Sequence, residues 1–387
     1  MRRQLVGTDP DGKIIHHRSR ETLPPVPAEV FDHAAKALQA DLAGPSLDVM
    51  KRDSAEPPKK TPPKKWNRRE CLASLGAAAA ASLSGCIASA GGGVPDLVWG
   101  RRGFSNGRFI KPRCVAIDSA DRLYVCDTTG RIQVFDADGN FQRVWSTPDT
   151  ANGRPTGLQV RAGDESIDRE VLLVADTHYY RMLAFELDGT PIPDLTIGGT
   201  AGFGRGEFAF VTEAVCDDEG CFYVGEYGDS DRIQKFDPKG TFISQCGGTG
   251  AEPGQFVRPQ SMIVHRNVLY VTDAGNHRVQ AFDVSGSQFR RIDLWGTQGS
   301  LPGQLYYPYD VTLIGGEGGG PPDLLICEYA NQRVQRLTLS GDPVALLGSP
   351  GFEDGQFYQP WGVVVDSRGR IHVLDSNNHR IQRFATI

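Results

Sequence analysis

"HRVQAFD", residues 277–283, has five counterparts in the same chain: "GRIQVFD" (130–136), "YRMLAFE" (180–186), "DRIQKFD" (231–237), "QRVQRLT" (332–338) and "HRIQRFA" (379–385). Their arginines, Arg131, Arg181, Arg232, Arg278, Arg333 and Arg380, follow one another at 50, 51, 46, 55 and 47 residues. A length of 387 residues would by itself suggest two or three domains. A period of about 50 residues takes precedence, because each repeat is then one supersecondary unit stacked on its neighbours.

Working outward from His277, the unit reads as short apolar runs broken by turn signals. "FVRPQSMIVH" (256–265), "NVLYVTD" (267–273), "HRVQAFD" and "RRIDLWG" (290–296) are separated by "AGN" and "VSGS". Runs of this length, rich in β-branched residues and bounded by Gly, Asn and Ser, are strands. Four antiparallel strands repeated six times make an all-β, six-bladed β-propeller, in which each small sheet buries both faces against its neighbours. The front of the repeats holds "PDLVWG" (95–100), which has the composition of the fourth strands "FQRVWS", "IDLWG" and "VALLG" but no unit before it. The last unit stops at Ile387 without a fourth strand. Strand 95–100 is therefore expected to pair with residues 380–384 and close the ring.

The composite "G-x-F-x-x-P … V-A-x-D-x-x-G-x-x-Y-V-x-D-x-x-N-x-R-I-Q-x-F-x-x-x-G" resembles the NHL repeat, most fully in units 1, 3, 4 and 6. The WD dipeptide and the double Gly of the WD40 and kelch relatives do not recur. Unit 2 lacks the "G-x-F" element and unit 5 carries the insertion "GGEGGGPPD"; both are expected to alter loops more than blades.

Each second strand ends in an acid, Asp127, Asp176, Glu226, Asp273, Glu328 or Asp375, four to six residues before the aligned Arg. A pair present in every unit serves the fold, as a clamp on its own turn. Function is expected where units differ. After the Pro of each first strand come Arg113, Thr156, Thr212, Gln260, Tyr309 and Trp361, then Cys114, Gly157, Glu213, Ser261, Asp310 and Gly362, all expected near the axis. The peptidyl-hydroxyglycine amidating lyase, a six-bladed relative with NHL-like blades, holds zinc with histidines at such positions. None of the six first positions is His, so that site is unsupported. Glu213 and Asp310 are the metal candidates, for calcium or another divalent cation in the channel; otherwise no cofactor is expected. Aromatic residues are the other departure. Tyr307, Tyr309, Tyr358 and Trp361 precede or open units 5 and 6, while Tyr179, Tyr180, Tyr227 and Tyr329 fall in the links after the second strands. Together they are the candidate binding face, since Tyr and Trp favour contact surfaces. Among the cysteines, Cys114 with Cys126 and Cys216 with Cys221 are the possible cross-strand pairs, though not both in one register. Free thiols are expected.

Residues 1–65 are polar and Pro-rich and are expected to be disordered, or untranslated in part if synthesis starts at Met50. Residues 66–86 resemble a twin-arginine export signal, with Arg68 and Arg69 before a 12-residue Ala-rich run and "LSGC", Leu83 to Cys86, resembling a lipobox with Cys86 as the lipidated residue. The run is too short to span a bilayer. Residues 87–94 are then a linker and 95–387 the propeller. Residues 1–86 hold 14 Lys and Arg against 10 acids, which leaves 27 against 37 for the remainder. The acidic body disfavours nucleic acid. The sequence thus reads as an exported, lipid-anchored, monomeric scaffold of the bacterial cell envelope, binding a protein, peptide or glycan on one loop face. The alternative is a lyase- or lactonase-type propeller enzyme with a channel metal.

Overall fold

The computed structural model describes residues 93–387 apart from 164–167, 229, 317–319 and 386, and the backbone of one two-residue strand pair, Gly7–Thr8 with Ile14–Ile15. The chain divides into two units, Met1–Ala81 and Ser82–Ile387. The export and lipidation residues Arg68, Arg69, Leu83 and Cys86 lie outside the described residues.

The second unit is a six-bladed β-propeller. Its sheets run, from axis to rim, as strands a to d: 112–117, 123–127, 131–135 and 141–146 in blade 1, then 157–161, 171–176, 181–186 and 197–198 in blade 2. Blade 3 is built from 210–216, 222–227, 232–236 and 242–247, and blade 4 from 259–265, 268–273, 278–283 and 290–295. Blade 5 uses 308–314, 323–328, 333–337 and 343–347; blade 6 uses 362–365, 371–375 and 380–384, with Leu97–Trp99 as strand d. Each strand a contacts strand a of the next blade, and blade 6 contacts blade 1, so the ring is closed. Strands b are almost wholly buried, as expected for sheets covered on both faces.

The closure is the one the orphan strand foretold. Trp99, Val98 and Leu97 pair with Ile381, Gln382 and Arg383. Trp99 occupies the place that Trp145 and Trp295 hold in blades 1 and 4. A Cβ on Gly139, Gly189 or Gly341 of the following blade would lie 2.6, 2.6 or 2.2 Å from the respective indole. Gly100 is equally constrained: its φ is +86°, and a Cβ there would come within 2.5 Å of the Phe109 ring. Blade 2 departs further than its loops. Its strand d is only Ile197–Gly198, preceded by a 3₁₀ turn at Pro193–Leu195 that displaces the strand.

The acid and Arg pairs form in all six blades, from 2.5 Å (Arg232 Nε to Glu226) to 3.2 Å (Arg131 Nη2 to Asp127). They do more than clamp their own turn. Arg278 also donates to the carbonyls of Ala251, Glu252 and Gln255, and Val257 N–H donates to Asp273, so the b–c turn is tied to the d–a loop leading into its blade. Both loop types therefore emerge on one face. Histidines act similarly between blades. His277 Nδ1 accepts from Tyr307 N–H (3.2 Å) and His379 Nδ1 from Lys111 N–H (2.9 Å), with burial lowering both pKa values and keeping the rings neutral. His372 takes the place of the strand-b tyrosines Tyr124 and Tyr223, its Nε2 meeting Asp366 at 3.0 Å as their hydroxyls meet Asp118 and Asp217. Cys114 is directly opposite Cys126, whereas Cys216 faces Phe222 and not Cys221; the six described cysteines are free thiols.

Candidate functional site

At the head of strand a the ladder skips one residue in four blades: Arg113, Thr212, Gln260 and Tyr309 stand in bulges. A bulge re-aims its side chain, here toward the axis. Arg113, Thr156, Gln260, Tyr309 and Trp361 ring a small axial cavity, with Cys114, Glu213, Ser261 and Asp310 behind them. Thr212 does not reach it; its hydroxyl donates to the Pro259 carbonyl at 2.7 Å and staples blade 3 to blade 4. The cavity holds about 10 Å³, room for roughly one water.

The two acids meet here as the sequence suggested, but not as an open ligand set. Asp310 already accepts from Ser261 Oγ (2.8 Å), Val311 N–H (2.9 Å) and Val363 N–H (2.8 Å), joining blades 4, 5 and 6. Burial pushes its carboxyl up to about 6. Glu213 accepts from Ala214 N–H (3.2 Å) and lies against Gly157 of blade 2; burial, then the Asp310 charge, raises it well above the usual range. Calcium needs six to eight oxygen ligands, several of them ionised. Two carboxyls, one of which already accepts three hydrogen bonds, supply fewer oxygens than that requirement. Among the described residues no three His, Cys, Asp or Glu side chains are placed to share a metal.

The eight aromatic candidates separate into groups. Tyr309, Tyr329 and Trp361 form one buried cluster, with ring centroids 4.6, 5.1 and 5.8 Å apart and Tyr307 packed on its edge. Tyr227 joins through Arg258, whose guanidinium lies 4.9 Å from its ring and 5.4 Å from that of Tyr309. Tyr179 and Tyr180 belong to the wall of blade 2, the former accepting Asn152 N–H and lying under Arg181. Tyr358 is apart from the cluster, against Phe352.

Arg113, on the other side of the mouth, lies 5.2 Å from the Trp361 ring. Cations over aromatic faces gain from the ring quadrupole, most when shielded from water.

Around this mouth the d–a loops present residues that sequence reasoning missed. Phe104, Phe203, Leu301 and Phe352 are 75, 59, 65 and 70% exposed, in the leading loops of blades 1, 3, 5 and 6. Their loops are held rigidly, since Arg131, Arg232 and Arg333 donate to the carbonyls of Phe104, Phe203 and Leu301. The signal was available: each is a bulky apolar residue inside a Gly-rich turn, four or five residues before the buried Phe or Leu of the "G-x-F" element.

The protein family described as NHL repeat matches residues 357–384. The chain is 31% identical over 134 residues to the protein brain tumor of Drosophila melanogaster, covering 34% of this chain and 12% of that one. It is 26% identical over 189 residues to a probable peptidyl-alpha-hydroxyglycine alpha-amidating lyase of Caenorhabditis elegans, covering 46% and 48%. The chain thus spans half or less of the length of these relatives. A putative phosphatase from Bacteroides thetaiotaomicron superposes with a TM-score of 0.55 at 16% identity, covering 76% of this chain and 77% of the other, a likeness of fold alone.

Proposed function

We propose that this NHL-repeat propeller is a binding scaffold whose partner is a protein docked on the face where the d–a and b–c loops emerge. The observation that carries the reading is the set of four exposed apolar side chains, Phe104, Phe203, Leu301 and Phe352, held on clamped loops about the Tyr309, Tyr329 and Trp361 cluster. Exposed bulky apolar groups on the loops of one face offer contact points to a partner, and aromatic anchors near the centre of an interface carry most of its energy. Phe and Leu favour protein over glycan, whose hydroxyls demand polar partners. A metal-dependent enzyme lacks support from the acid pair, for the reasons of coordination given above.

The scaffold is further proposed to be exported through Arg68 and Arg69 and anchored by a lipid on Cys86, with eight residues between it and Pro95, where strand d of blade 6 begins its approach. Metabolic labelling with a fatty acid is expected to mark the parent protein and not Cys86→Ser; equal labelling would remove the anchor. For docking, the protein is crosslinked in envelope extracts beside Phe104→Ser/Phe203→Ser/Phe352→Ser. These exposed positions should leave the melting temperature unchanged while abolishing the crosslinked species, and species retained by the triple variant would sink the proposed face.

A further inference from the structure

We infer that the axial mouth is a carboxylate socket, in which a docked protein sets one carboxylate against Arg113 and the indole N–H of Trp361. The inference rests on the docking face just proposed and names what its centre reads.

Arg113 and Trp361 come from blades 1 and 6 and are adjacent across the ring closure. Trp361 is 7% exposed, and its Nε1 is buried without a hydrogen-bond partner; Arg113 Nε is buried and unpartnered as well. Arg113 makes no ion pair among the described residues. A buried donor left unmade costs about 1–3 kcal/mol, and more when charged. Two such donors, one of them cationic, line one cavity, and neither has an acceptor.

The acids lining the same cavity do not provide it. Asp310 is engaged by Ser261, Val311 and Val363, and Glu213 by Ala214; neither pairs with Arg113. Burial and the Asp310 charge also hold Glu213 toward its neutral form, so the two acids of the floor carry less than their full negative charge. Across the mouth Arg258 Nε donates to Gln260 Oε1 at 2.9 Å, fixing a second cation beside Tyr309. Rings on either side lower the local dielectric, which strengthens any charge-assisted hydrogen bond made there. A cavity of about 10 Å³ takes a single carboxylate oxygen at its mouth and excludes a sugar ring.

Three probes test this by saturation-transfer NMR and tryptophan fluorescence: N-acetylphenylalanine, which mimics a chain end, N-acetylglutamate α-amide, which mimics an acidic side chain, and neutral N-acetylphenylalanine amide. At least one carboxylate should bind saturably below about 10 mM while the neutral amide does not, and the better of the two identifies the source of the group. Arg113→Gln should weaken that probe about ten-fold or more, and Trp361→Phe, which keeps the ring but removes the N–H, should weaken it several-fold. The Phe variant keeps the question answerable if Arg113→Gln melts early. Equal binding of the neutral amide, no binding of either carboxylate, or affinity unchanged in both variants would overturn the socket. If the carboxylates fail while crosslinking still depends on Phe104, Phe203 and Phe352, the docking face stands and only the socket falls.

Discussion

Replacing Trp99 with alanine tests ring closure at a single side chain. Trp99 is half-buried, its ring centroid 4.5 Å from Phe135 and 5.7 Å from Phe109, and it roofs Gly139 of blade 1. It therefore bridges the strand from the front of the chain to the first blade. Truncating a fully buried large aromatic costs roughly 3–5 kcal/mol, and Trp99 is only half covered, so about 2 kcal/mol is expected. At ~2–4 °C per kcal/mol the midpoint should fall by about 4–8 °C, measured by circular dichroism or calorimetry on the whole chain. Deleting residues 95–100 should cost considerably more. It also removes the pairing to Ile381, Gln382 and Arg383 and the Asp96 to Arg383 ion pair at 3.0 Å, leaving strand c of blade 6 as an open edge. Val94→Ala, at a position 87% exposed, is the control and should leave the midpoint in place. If Trp99→Ala and the deletion both melt like the parent, residues 97–99 do not close the ring and the argument from the unpaired strand is wrong.

The acid beside the axis should impose a pH dependence. Glu213 has a raised pKa in the folded protein, so it keeps a proton that the unfolded chain releases above about pH 4.3. Its contribution is complete below that pH and is lost as pH rises through the folded value. Glu213→Gln preserves the carbonyl facing Ala214 and cannot titrate, so its melting temperature should gain on the parent between about pH 5 and pH 8; parallel curves would refute the shift. Gly157→Ala would set a Cβ 2.4 Å from the Thr212 carbonyl and should destabilise by about 2 kcal/mol or more, whereas Gly286→Ala, with nothing within 4 Å, should stay within about 0.5 kcal/mol in urea titrations. Asp273→Asn leaves Arg278, whose side chain is about one-tenth exposed, without its counter-ion, and a loss of about 3 kcal/mol is expected by the same assay. A loss no larger than that of a surface substitution would show that the clamp is dispensable.

Much of this was legible in one dimension because the fold repeats. The Arg period counts the blades, the turn chemistry separates the strands, and an unpaired "PDLVWG" can only satisfy its backbone against the one blade that lacks a fourth strand. Positions after the strand-a prolines were placed at the axis from spacing alone, since a bulge recurring at one place in the repeat re-aims equivalent side chains. The sequence could not say which of these touch. Tyr309, Tyr329 and Trp361 are drawn from blades 5 and 6, and Arg113 meets Trp361 only because the ring closes. Tyr179 and Tyr180 share the composition of the cluster but lie on the wall of blade 2, a difference of angle around the axis that spacing does not encode, and Tyr358 packs on Phe352 in the loop entering blade 6. Nor did spacing reveal that Asp310 is consumed by hydrogen bonds from three blades, because two of its donors are backbone N–H groups, which every residue but proline carries. The exposed Phe104, Phe203, Leu301 and Phe352 were written in the loops, yet only the clamped geometry turned them toward one face. The repeat thus determined by itself the strands, the blade count and the closure, all consequences of local pairing and period. The tertiary structure decided the site, because neighbouring blades supply its parts and burial sets the charge that each part carries.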